Sequence, residues 1–197
     1  MTMEKRILSL SNMEKRENDG KIFLSGYFAR FNEPYNVCEG WVETIAPGAF
    51  SRYLATEGDV KALWNHNHDL VLGSRANGTL HLEETAEGLY GTVEINQNDR
   101  AALDAYARIE RGDVSGCSFG FDCQMDSFTE EDGTYRTVIR EVMPLYEVSP
   151  CVFPAYESTS IAAREKLDRM KAEQERNLET WKENIRNKLR KEKTNGN

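Results

Sequence analysis

No apolar run in this 197-residue chain approaches the roughly 20 residues that cross a bilayer as a helix, which excludes a helical membrane protein. No apolar core stands behind Met1-Thr2-Met3-Glu4-Lys5-Arg6, so the sequence gives no sign of a secretory signal. Cysteine is scarce, and Cys38, Cys117, Cys123 and Cys151 form no CxxC pair. That spacing argues against zinc or dithiol chemistry and reads as reduced cytosolic thiols, mostly buried. A basic surplus is missing as well. The formal net charge is −8, and the deficit sits in residues 1–163, with 14 Lys+Arg against 26 Asp+Glu. From Arg164 onward the balance reverses to 11 against 7. An acidic body lacks the cationic face that phosphate contacts need, which argues against a nucleic-acid enzyme. It suits docking onto another protein. No internal repeat is visible.

What the chain does have is enough apolar residue, 39%, for one well-buried domain, and enough charge, 29%, for a polar extension. Short alternating runs predict many strands. Residues 5–10 and 21–31 read as a hairpin around the polar stretch 17–20, and 32–36 as a turn. Strands follow at 41–45, 59–64 and 70–75, with a short helix from Pro47 to about Glu57. Asn77-Gly78 predicts a tight hairpin returning through 79–83, and 89–95 follows. Asp99 caps a helix ending at Glu110. Beyond it, the run from Val114 turns at 130–133 into 135–142. Pro144 interrupts, and 145–154 resumes. The expected class is α+β: a mostly antiparallel, barrel-like core with a few flanking helices and a charged C-terminal helix. The boundary is expected after Ala163, with residues 157–163 an extended linker and 164–197 a helical arm. Leu167, Met170, Leu178, Trp181, Ile185 and Leu189 form its interrupted apolar stripe.

Chemistry concentrates in Arg111-Gly112-Asp113-Val114-Ser115-Gly116-Cys117-Ser118-Phe119-Gly120-Phe121. On a strand, Phe119 and Phe121 point to one side, leaving Ser118 and Gly120 on the other. A hydroxyl among residues with almost no side chain is open to an extended peptide, yet the same composition suits tight packing. A serine hydroxyl is a poor nucleophile without a base, and neutral imidazole suits that role. A third group must then fix the imidazole's tautomer. His66, in Asn65-His66-Asn67-His68-Asp69, sits at a predicted strand end, where a side chain can face a cleft. Glu147 lies inside an otherwise apolar run and needs a partner if buried. His68, Ser115, Cys117 and Glu141 remain alternatives to these three. A metal-dependent hydrolase built on His66, His68 and Asp69 is a further class, although nothing completes its ligand set. No cofactor or metal is expected.

Five segments carry a resemblance. His66 through Gly73, residues 112–121 and residues 146–156, with Gly26-Tyr27-Phe28-Ala29-Arg30-Phe31 and Ile45-Ala46-Pro47-Gly48-Ala49-Phe50, resemble tailed-bacteriophage prohead maturation serine proteases. The likeness runs in order over residues 5–163. More distantly the pattern is similar to herpesvirus assemblins. There the catalytic histidine stands seven residues before a glycine, as His66 does before Gly73. The nucleophile segment matches Gly116-Cys117-Ser118-Phe119. The third member, a histidine in assemblins, falls on Glu147 ahead of Val148-Ser149-Pro150-Cys151. The resemblance implies a serine endopeptidase with a triad of Ser118, His66 and Glu147. It would work in the host cytoplasm, inside the assembling procapsid, on scaffold or the scaffold-like arm of the major capsid protein, and on itself. No nucleic acid or membrane partner is implied, and a homodimer is compatible. The alternative is a catalytically inactive capsid-interior scaffolding protein.

Overall fold

The structure, a computed structural model, describes residues 4–9, 13–152 and 157–194. It divides into two units, Met1–Asn36 with Gly40–Tyr156, and Val37–Glu39 with Glu157–Asn197.

The first unit is built around β10 (Gly116–Glu131) and β11 (Thr134–Cys151). They form an antiparallel hairpin closed by Asp132 and Gly133, with φ of 52° and 74°. Two successive left-handed residues match the right-handed twist of the flanking strands. Early in β11 the pattern alternates, with Tyr135, Thr137 and Ile139 buried. From Glu147 to Cys151 every residue is buried. That stretch is central in the sheet, with β10 on one side and β6 (Lys61–Trp64) on the other. The β6 pairing is parallel, as is that of β5 (Trp41–Ile45) with residues 135–139.

Strand β1 (Glu4–Ser9) pairs with β10, β4 (Tyr35–Cys38) lies beyond β5, and β7 (Asn67–Ser74) returns antiparallel along β6, giving seven strands. A second sheet of four runs β2-β3-β9-β8, from β2 (Glu14–Asn18), β3 (Lys21–Arg30), β9 (Gly88–Glu94) and β8 (Leu80–Glu84). One apolar core draws Phe28, Leu89 and Val93 from the smaller sheet with Phe119, Phe121, Ile139 and Leu145 from the larger. Helix α2 (Arg100–Glu110) adds Ala105, Tyr106 and Ile109, and Asp99 caps it by accepting from Ala101 N–H and Ala102 N–H. Gly88 shows how close the chains run: at φ 155°, a Cβ there would lie 2.0 Å from the Ala29 carbonyl oxygen.

Several expectations need correction. Among the described residues the strands form two open sheets that are not closed into a barrel. The larger sheet is also not wholly antiparallel, because β11 takes two parallel partners, β5 and β6, joined to each other through the 47–50 turn and the short helix α1 (Ser51–Leu54). The hairpin partner of β3 is β2, a strand of Glu-Lys-Arg-Glu-Asn, and residues 4–9 pair with β10 instead. The Asn77-Gly78 turn forms locally, with Gly78 N–H donating to Arg75 O at 3.0 Å, but β7 and β8 then enter different sheets. Pro144 does not end β11. From Phe121 to Cys123 the partner moves from Leu145 to Val142, so a bulge on β11 takes up the proline.

The second unit contains α3 (Glu157–Thr194). It begins seven residues before the expected arm, so the stretch read as an extended linker is helical. Residues 153–156 lie outside the described residues.

Candidate active site

The turn between β6 and β7 has only two residues, Asn65 and His66, with φ of 52° and 60°. Asparagine and histidine are among the residues enriched in this left-handed conformation, but for any non-glycine residue it still costs on the order of 1–3 kcal/mol and persists where surroundings over-determine it. Here they do. Asn65 N–H donates to Pro150 O at 3.0 Å, Val152 N–H donates to Asn65 Oδ1 at 3.4 Å, and His66 N–H donates to Ser149 Oγ at 3.3 Å. The turn is thus pinned to the end of β11 by backbone and side chain together.

So held, His66 turns its ring toward β11, and Nδ1 lies 2.7 Å from Glu147 Oε1. Glu147 is 2% exposed, and its other oxygen accepts the Ser149 hydroxyl. A carboxylate only accepts, so this contact selects the tautomer with the hydrogen on His66 Nδ1, which leaves the Nε2 lone pair for a proton. Lys61, opposite Glu147 in the parallel ladder, is engaged elsewhere, with Asp59 and, at 3.0 Å, with Ser74 Oγ. That ammonium, as hydrogen-bond donor, holds the Asp59 carboxyl below its usual range.

Across the ladder, Ser118 on β10 faces Ser149 directly, and Gly120 faces Glu147. Directly opposed residues share a face, and so do residues two apart. Ser118, Ser149 and Glu147 therefore lie on one side of the β10–β11 pair, and Gly120 sets no side chain beside the carboxylate. Ser118 Oγ and His66 Nε2 are both buried, and neither has a hydrogen-bond partner among the described residues. A donor on β10 and an acceptor in the β6–β7 turn are left over, on the two segments that flank the end of β11, and both belong to groups capable of nucleophile and base chemistry.

The alternatives stand elsewhere. His68 and Asp69 are exposed on β7, and Asp69 N–H bonds to Asn67 Oδ1 at 2.9 Å. Ser115 is exposed ahead of β10. Glu141 is ion-paired with Arg52 Nη1 at 2.7 Å. Cys117 is fully buried on the face opposite Ser118, where desolvation, then the neighbouring Cys151, pushes its thiol well above the usual value. Ser149 and Asn65 escaped the sequence reading. The available signal was strand period: Ser149 stands two residues past Glu147, hence beside it.

The family model described as caudovirus prohead serine protease matches residues 9–173. The chain belongs to that family. It is also 31% identical over 179 residues to the prohead protease of Enterobacteria phage HK97, covering 89% of this chain and 75% of that protein. Among solved structures, the bacteriophage T4 capsid assembly protease is similar at a TM-score of 0.43 and 12% identity, over 75% of this chain and 98% of that one. Membership makes the chain a serine protease of phage capsid maturation. Among the described residues, no helix is long and apolar enough to cross a membrane.

Proposed function

We propose that Ser118 is the nucleophile, His66 its general base and Glu147 the group that orients the base. Ser118 Oγ attacks the scissile carbonyl while His66 Nε2 takes its proton. The imidazolium so formed is stabilised by Glu147 through Nδ1–H, and the same proton then passes to the leaving amine. Water repeats the sequence on the acyl-enzyme. The observation that carries this reading is the 2.7 Å contact between His66 Nδ1 and Glu147 Oε1, with Nε2 and Ser118 Oγ both unpaired. Ser118 is 0% exposed, so a substrate reaches its hydroxyl only after a local opening. The distant likeness to assemblins belongs to the same proposal, with Glu147 replacing their second histidine.

The substrates are scaffold or the scaffold-like arm of the major capsid protein, inside the procapsid in the host cell, and the chain itself. Residues 1–163 act as the protease domain and 164–197 as an arm that tethers it to capsid or scaffold protein. Support for the arm comes from α3, where Leu178, Trp181 and Ile185 are exposed at helical spacing. Co-expression with the phage's own major capsid protein tests the reading. Fragments that vanish with Ser118→Ala support it. Intact capsid protein with the wild-type enzyme points to an inactive interior scaffold.

A further inference from the structure

We infer that Ser149 is a positioning residue for the reaction, a hydroxyl that locks both the carboxylate and the histidine of the site. The inference rests on the proposed roles of Ser118, His66 and Glu147. Ser149 is 0% exposed, and a buried serine usually satisfies itself with a single backbone carbonyl. This one does otherwise. Its Oγ–H donates to Glu147 Oε2, and the same oxygen accepts from His66 N–H at 3.3 Å. One atom therefore touches the two partners that must stay in register.

Each bond has a separate consequence. Glu147 has two oxygens, and the His66 contact uses only Oε1. Without a donor at Oε2, a carboxylate with 2% exposure holds half its accepting capacity unsatisfied, and its side chain is free to rotate away from the ring. The bond to His66 N–H acts on the backbone. It holds a residue at φ 60° whose alternatives lie in more populated regions, and whose relaxation would swing the imidazole off Glu147. Ser149 also lies opposite Ser118 in the ladder, so its two bonds fix the His66–Glu147 pair beside the nucleophile's strand. It touches no reacting atom. Its role is to hold the geometry within the few tenths of an ångström that proton transfer requires.

The test uses the full chain and a fluorophosphonate that esterifies an activated serine, releasing fluoride as Ser118 Oγ bonds to phosphorus. The readout is the labelling rate of Ser118, with thermal unfolding measured alongside. Ser149→Ala is expected to slow labelling about 10-fold to 100-fold, the range for losing a buried hydrogen bond to a charged group. Ser149→Thr, which keeps the hydroxyl, should recover most of the rate, whereas Ser149→Val, matched in shape to threonine, should not. Coupling separates positioning from packing: in a Glu147→Gln background, Ser149→Ala should cost clearly less than in the wild type, because the carboxylate, one of the two groups it acts through, has gone and only the His66 N–H bond remains to be lost. Equal rates for wild type and Ser149→Ala, or equal rates for the threonine and valine variants, overturn the inference and leave the triad standing. So does full additivity with Glu147→Gln. Wild-type chain unlabelled at Ser118 overturns the triad, and this inference with it.

Discussion

Glu147→Gln changes almost no volume and removes one charge, so its effect isolates what the carboxylate does. The side chain is 2% exposed and receives two donors, His66 Nδ1–H at 2.7 Å on Oε1 and the Ser149 hydroxyl on Oε2. A carboxamide offers one oxygen and one NH2, so it cannot accept from both. If the oxygen faces Ser149, the NH2 meets Nδ1 and forces the hydrogen onto Nε2, where it blocks proton transfer from Ser118. If the oxygen faces His66, the tautomer survives, but the Ser149 hydroxyl loses its acceptor and the imidazolium loses its counter-charge. Both arrangements are poor. Replacing the acid of a serine-protease triad by its amide costs about 10⁴-fold in turnover, so a loss of that order is expected. It should remain smaller than the loss on Ser118→Ala, about 10⁶-fold. Folding should survive, since packing is preserved. The assay is timed cleavage of co-purified capsid protein, with Glu130→Gln on the exposed hairpin tip as control. Turnover within about 10-fold of wild type, in a folded Glu147→Gln protein, would refute the reasoning.

Four further outcomes follow from the same geometry. His66→Ala should lower cleavage by at least about 100-fold, while His68→Ala, at an exposed β7 position, should leave it unchanged; the reverse would shift the base by two residues. Phe119 is fully buried, stacked on Phe121 at 4.7 Å and edge-on to Phe50 at 5.5 Å, so Phe119→Ala should cost about 3–5 kcal/mol in urea denaturation. Burial raises the Cys117 thiol in the folded chain, so above the ordinary thiol range the unfolded chain releases that proton and the folded chain keeps it. Stability present at neutral pH should therefore fall as pH rises past that range, and Cys117→Ala should flatten the slope measured by denaturation. Finally, Leu178→Glu with Trp181→Glu, at positions 49% and 60% exposed, should leave folding and Ser118 labelling intact yet reduce incorporation into procapsids. Normal packaging of that double variant would remove the arm's tethering role.

Local signals in this sequence were read well wherever one stretch decides its own structure. Asp99 announces the start of α2, and the glycine-ended tip near Asp132 announces the β10–β11 hairpin. Where pairing joins distant segments, local pattern says little. Nothing in residues 61–64 indicates that β6 lies parallel to Glu147 and Val148, yet that pairing carries the His66 turn to β11. The polar strand β2 escaped notice because an edge strand of Glu, Lys, Arg and Asn has no apolar alternation to detect. Asn77-Gly78 promised a ladder that the two sheets divide between them. At the site, an acidic residue inside an apolar run did point to Glu147 and to its need for a partner. Ser149 was invisible for the opposite reason: a serine between valine and proline excites no expectation until its two bonds are seen.

Site mapping of the phosphonate adduct tests the central claim most directly. The full-length chain is labelled, digested, and its modified peptide sequenced by mass spectrometry, beside His66→Ala treated identically. The account predicts one adduct, on Ser118, slowed by at least about 100-fold in His66→Ala. An adduct on Ser115 or Cys117, or labelling of Ser118 at the same rate without His66, would contradict it.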